Sequence, residues 1–193
     1  MQEVKTLSAI DLKGSVEIIA DYFNVAINNI LYNRAIYPES SFKRVKKFGR
    51  SVLIATDEEL IKYLDKLIDQ LKVWLMADSL KRLVIVIKSV KSGAILERWQ
   101  FNIKREEDDI AVEDIDEGLG AIVRQIVASS SFLPNIKETC TFDLLVYTNR
   151  NCEIPEGWDE SGPCFVPNSA QVQLRSFSTK IHQVESIVSY RQK

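Results

Sequence analysis

The sequence is poor in the residues on which most catalytic and metal centres depend. It has one histidine, His182, and three cysteines, Cys140, Cys152 and Cys164. The cysteines fall twelve residues apart with no CxxC pair, a spacing that does not suit a zinc site. Their odd number, with no secretory signal in the opening residues, points to reduced thiols in the cytosol or nucleus. GxxxxGK[ST] and GxGxxG are both missing, so the common nucleotide-binding signatures are excluded. No apolar run is long enough to span a bilayer. The net charge of −2 leaves no broad basic field for nucleic acid. These absences lead us to expect no enzyme activity, no cofactor, no metal, and neither a nucleic-acid nor a membrane partner. A thiol enzyme pairing Cys164 with His182 is the catalytic alternative, but no nucleophile motif surrounds either residue.

What is present suits one substantial core, with 46% hydrophobic residues. Charge is unevenly placed. "EEDDIAVEDIDE", Glu106–Glu117, carries eight acids and no base, leaving 25 basic against 19 acidic residues elsewhere. Such a block reads as a solvated loop, with a dedicated basic partner as the lesser alternative. "FKRVKKFGR", Phe42–Arg50, has five basic residues and two aromatics. It lacks a recognition motif and reads as a solvated strand face.

Three segments have helical periodicity. Val16, Ile19, Ala20, Phe23, Ile27, Ile30 and Leu31 form one stripe within Leu12–Arg34, with Asn24, Asn28 and Asn29 on the far side. Leu60, Ile61, Leu64, Leu67, Ile68, Leu71, Trp74 and Leu75 form a second. It follows "TDEE", which predicts a capping box between Thr56 and Glu59. A third helix is expected over roughly Asp116–Leu133, with Leu119, Ile122, Val123, Ile126 and Val127 buried. Gly118 and Gly120 weaken its start by about 1 kcal/mol each relative to Ala. Strands are expected in "KRLVIVIKSV", "AILERWQFNIK" and "TCTFDLLVYT", and a hairpin turning at Gly49 before the second helix. Trp74 and Trp99 sit in apolar stripes and read as core. The fold class is α+β: an antiparallel sheet of three main strands backed by three helices.

Thr139–Thr148 is the last strong strand and a candidate sheet edge. An uncovered edge invites pairing by any extended chain, either this protein's own C-terminal segment or a partner peptide. The C-terminal segment is weakly specified. In "VQLRSFST" Val172 and Leu174 point one way, and Arg175, Phe177 and Thr179 the other. Ile181, Val184, Ile187 and Val188 fit a helix or an irregular strand. Such ambiguity suits an ordinary loop, and also a segment with two docking sites.

Seven stretches in order resemble the HORMA-domain family: "LKGSVEIIADYFNVAINNILYNRAIYP", "TDEELIKYLDKLIDQLKVWL", "SGAILERWQFNI", "VRQIVASSSFLP", "TFDLLVYT", "WDESGP" and "LRSFSTKIHQV". The likeness runs from about Leu12 to Tyr190 and is strongest to the spindle-checkpoint members. It implies a single HORMA domain over 1–193: a switch segment 1–12, a core 13–149 with an acidic loop 105–117, and a mobile safety belt 150–193. It implies a peptide-binding edge at Thr141, Phe142, Asp143, Leu144, Leu145, Val146, Tyr147 and Thr148. It implies belt anchors at Trp158, Phe165, Val172, Leu174, Phe177, Ile181, Val184 and Ile187, and a switch residue at Leu12. A dimer face between open and closed copies is implied at Arg124, Gln125 and Phe132. Arg124 and Gln125 fall outside the third stripe, so both are expected to be exposed and free. The implied partners are the activator subunit of the anaphase-promoting complex, a coiled-coil kinetochore checkpoint protein, a second copy of the chain, and an AAA+ remodelling ATPase. The implied location is nucleus and cytoplasm, with unattached kinetochores in mitosis. The rival role within the family is the accessory subunit of a translesion DNA polymerase.

Overall fold

The computed structural model describes residues 11–106 and 114–192. Helices α1 (Leu12–Asn33), α2 (Glu58–Met76) and α3 (Ile115–Ala128) each begin at an aspartate. Asp11, Asp57 and Asp114 accept the backbone N–H three residues on, at 2.7, 2.9 and 3.2 Å. This satisfies one orphan donor per helix and sets a negative charge at the positive end of the dipole. Asp57, not Thr56, therefore caps α2, and the predicted Thr56 box is corrected. The Thr56 backbone N–H instead donates to the Ser41 carbonyl at 2.7 Å and closes a hairpin. That hairpin pairs β1 (Phe42–Lys47) with β2 (Arg50–Ala55). It turns through Phe48 and Gly49, both left-handed at φ 53° and 65°, the tight turn that matches strand twist.

α1 is the centre of the molecule. Its apolar stripe faces the main sheet, while α2, α3 and β2 pack around the rest. Asn28 and Asn29, expected on a polar far side, are each 1% exposed. Their side-chain oxygens accept the Ala55 and Leu53 backbone N–H groups at 2.8 and 3.3 Å. They are hydrogen-bonding docks for the hairpin, which buries them without an unsatisfied-group penalty. α3 ends earlier than expected and continues as a short 3₁₀ turn, Ser129–Ser131. Val127 was expected in its buried face; it is 45% exposed, because the stripe rotates off the core before that turn. Gly120 allows close approach to the hairpin. A Cβ there would lie 2.6 Å from Arg50 Nε and 3.2 Å from the Phe48 carbonyl oxygen.

The main sheet is larger than the three strands expected. β3 (Leu80–Ser89), β4 (Ile95–Arg105) and β5 (Cys140–Thr148) are joined by β6 (Ser169–Gln173), β7 (Phe177–Ser178) and β8 (His182–Arg191). The order is β5-β3-β4-β8-β6, antiparallel throughout, with β7 also on β8. Alternation divides the faces. Leu83, Ile85, Trp99, Phe101, Val184 and Val188 meet the helices. Beneath α1, Arg34 and Glu97 form a buried ion pair, their side chains 4% and 3% exposed. Arg34 also donates to the Pro134 carbonyl at 2.6 Å, and Trp99 Nε1 to Glu97 at 3.2 Å. The charges are thus fully partnered, as burial requires. No described helix is long and apolar enough to cross a membrane.

Candidate functional site

β5 lies at one end of the sheet. Among the described residues it has one strand partner, β3, so one flank presents unpaired backbone groups. Phe142, Leu144 and Val146 are in register with Ile87, Ile85 and Leu83 and share the helix-facing side. Asp143, Leu145 and Tyr147 alternate to the outer side. Thr141 is exposed, and Phe142 through Thr148 are half-buried. That is the signature of a strand with one flank covered.

A groove of about 700 Å³ runs along this flank. Tyr63, Leu67 and Trp74 of α2 form one wall, residues 143–148 of β5 the floor, and Trp158 with residues 159–162 the far rim. The rim is fixed by Trp158, whose ring meets that of Trp74 edge-on at 4.9 Å. Trp74 is 5% exposed, so it serves both as core and as the seat for Trp158. Beyond the groove the chain crosses to the opposite end of the sheet. It bends at Gly157, Cys164, Asn168 and Lys180, all at positive φ.

There the C-terminal residues form strands. β8 pairs with β4 over Glu97–Arg105, which resolves the helix-or-strand ambiguity of Ile181–Val188 as strand. Local preference could not decide this; β4 supplies the missing backbone partners. Val184 and Phe177 are 0% and 3% exposed and Leu174 is 6% exposed. Val172, Ile181 and Ile187 are half-buried, and Phe165 is 69% exposed. The expectation that Arg175, Phe177 and Thr179 share one side is corrected: Arg175 is exposed, while Phe177 and Thr179 are buried. Phe177 packs edge-on to Tyr22 at 4.9 Å. Thr179 and His182 are drawn in by Ser15, whose hydroxyl lies 2.5 Å from Thr179 Oγ1 and 2.7 Å from His182 Nδ1.

His182 therefore engages Ser15 and Thr179, not Cys164, whose thiol donates to the Gly162 carbonyl at 3.5 Å. Burial, and secondarily the Arg105 charge, push the His182 pKa below its ordinary value, which favours the neutral ring.

The implied dimer-face residues separate. Arg124 is exposed and Phe132 is 43% exposed. Gln125 is half-buried, and its Oε1 accepts the Arg175 backbone N–H at 2.5 Å. Gln125 is thus already engaged by the C-terminal segment, and the expectation that it is free is corrected. Leu12 opens α1 and packs, half-buried, on the core. Residues 1–10 of the expected switch and 107–113 of the acidic loop lie outside the described residues. Arg98, which the sequence does not single out, is 3% exposed and touches both β5 and the C-terminal segment. The only sequence signal was a charge inside the alternating "ERWQFN" run.

A family model for the HORMA domain matches residues 15–182. The human mitotic spindle assembly checkpoint protein MAD2A is 48% identical over 190 residues, covering 94% of this chain and 93% of its own. The Schizosaccharomyces pombe mitotic spindle checkpoint component mad2 is 39% identical over 203 residues, covering 99% and 98%. A chain in the crystal structure of the mitotic checkpoint complex has a TM-score of 0.89 at 40% identity, covering 93% of this chain and 99% of that one. C. elegans HTP-2 bound to a HIM-3 closure motif has a TM-score of 0.78 at 14% identity over 96% and 93%, a likeness of fold alone.

Proposed function

This chain belongs to the HORMA-domain family and is a spindle assembly checkpoint protein, and from that premise we propose that it captures an extended partner segment as a strand added to β5. The single observation that supports this reading is the unpaired flank of β5, lying in a groove beneath residues 157–162. Backbone pairing supplies affinity for any extended chain, and the wall of Tyr63, Leu67 and Trp74 selects alternate apolar side chains. Residues 150–193 are the safety belt. With β8 docked on β4, the belt passes over the groove and closes behind the captured segment.

The captured segments belong to the activator subunit of the anaphase-promoting complex and to a coiled-coil kinetochore checkpoint protein. Sequestering the first delays anaphase; the second recruits the chain to unattached kinetochores from nucleus and cytoplasm. The chain works as a switch. In its open conformer β8 lies on β5 and the N-terminal switch segment on β4; closure exchanges them. The exchange breaks pairing at both edges before new pairing forms and is therefore slow. Arg124 and Phe132 offer a face to a second copy in the other conformer, and an AAA+ ATPase reverses closure. The chain is a binding protein, not an enzyme. Deleting Ser176–Lys193 tests the belt: stable capture of activator peptide is lost while the helices and β3–β4–β5 stay folded. Unchanged slow release from the truncated protein overturns the reading.

A further inference from the structure

The outer face of the sheet holds a hydrogen-bonded cluster centred on Arg98. Arg98 projects from β4 on the side away from the helices, yet it is 3% exposed. Among the described residues no carboxylate lies within ion-pair distance of it. Its donors go to neutral acceptors in three places. Nε donates to the Pro163 carbonyl at 3.1 Å, Nη2 to the Tyr147 hydroxyl at 3.2 Å, and Nη1 to Gln100 Oε1. The Phe165 ring closes over the guanidinium, its centroid 5.2 Å from Cζ. Tyr147 belongs to the edge strand, and Pro163 and Phe165 to the segment leaving the groove. One planar cation therefore ties the peptide edge to the belt across the width of β3, on the face where Val84 and Val86 are buried.

A second circuit holds the tie in place. Gln100 Nε2 donates to Asn102 Oδ1 at 2.9 Å, as does Arg82 Nε at 2.8 Å, and Arg82 lies over the Tyr147 ring at 4.9 Å. Between Pro163 and Phe165, Cys164 is in the left-handed region at φ 50°. A non-glycine residue holds that conformation at a cost and needs surrounding contacts to fix it. Here it directs the preceding carbonyl at Arg98 and lets the following ring cover it. The rim at Trp158–Trp74 and this tie lie on either side of residues 159–162, the stretch that crosses the groove.

We propose that Arg98 is the clasp of the belt: a positioning residue that sets how long a captured segment is retained, with Phe165 as its cover. This rests on the reading of β5 as the capture edge. The rigid fork explains why arginine stands here. Lysine would keep the charge but could not address three acceptors in one plane while stacking under a ring. Phe165 is mostly exposed, so removing it leaves the core intact and loosens the clasp alone.

The test uses the full chain and a fluorescein-labelled peptide selected from a random displayed library on the wild-type protein. Dissociation is followed after adding excess unlabelled peptide, and amide exchange of Thr141–Thr148 checks the site. Charged hydrogen bonds and a cation–π contact together predict roughly ten- to hundredfold faster release for Arg98→Lys. Phe165→Ala should release about three- to tenfold faster. Thermal midpoints of unliganded Phe165→Ala and wild type should agree, which separates a clasp from a structural role. A peptide that protects β5 but leaves both variants at the wild-type rate overturns the clasp and spares the capture reading. Selected peptides that never protect β5 overturn the capture reading itself. Should Arg98→Lys fail to fold, Phe165→Ala decides alone: an unchanged rate is fatal to the proposal.

Discussion

Phe177→Ala separates the C-terminal segment from the rest of the fold. The ring is 3% exposed, stands edge-on to Tyr22 at 4.9 Å, and belongs to β7, which among the described residues pairs with β8 alone. Removing a buried phenylalanine costs about 3–5 kcal/mol, of which the aromatic pair supplies roughly 0.5–1.5. β7 is carried by β8, which pairs with β4, so the loss falls on this docked arrangement. Leu83 and Ile85, packed between helices and neighbouring strands, keep their surroundings. The docking equilibrium should fall by about two to three and a half powers of ten. Amide exchange by NMR on the unliganded protein reads this directly. Protection at Val184 and Val188 should drop by that factor, while protection at Leu83 and Ile85 stays near its wild-type value. Equal loss at all four positions would mean that the segment unfolds only with the whole domain. That result would refute the argument that it is a separable, movable part.

Three further outcomes follow from the packing. Glu97→Gln leaves the Arg34 charge buried without its partner and should cost about 3–5 kcal/mol in urea denaturation, whereas Lys104→Ala, which breaks an exposed pair with Glu185, should cost under about 1 kcal/mol. His182 has a folded-state pKa below its ordinary 6.5, so the unfolded chain takes up the proton first and the folded state loses stability as pH falls through 6.5 towards the folded value. A single proton sets a ceiling of about 1.4 kcal/mol per pH unit on this slope, and His182→Gln should flatten it; an equal slope in that variant would assign the effect elsewhere. Gly120→Ala should lower the melting temperature, because the Phe48 carbonyl is backbone and cannot yield as the Arg50 side chain can, and overpacking of up to about 3 kcal/mol exceeds the roughly 1 kcal/mol gained in helix propensity.

The helices and the central strands were legible because each carries its own periodicity, and the edge strand was legible because it is the last such run. What escaped depends on partners distant in sequence. Thr56 and Asp57 are equally good caps locally; the choice fell to Asp57 because the Thr56 backbone was needed at Ser41. Asn28 and Asn29 looked like a wet face, since nothing in α1 announces that β2 will dock there. The segment after Thr148 has no dominant period, and β4 decides its strand pairing from outside. The engagement of Gln125 and the burial of Phe177 follow from that docking and have no local signal. Ordered family motifs supplied the belt where periodicity alone left a loop and a moving part undistinguished.

The most direct measurement compares amide exchange of the whole chain with and without a bound activator peptide. The account predicts new protection along Thr141–Thr148 on binding, together with slowed exchange in residues 157–165 where the belt closes over it. A peptide held just as tightly, with β5 exchanging as in the unliganded protein, would contradict it.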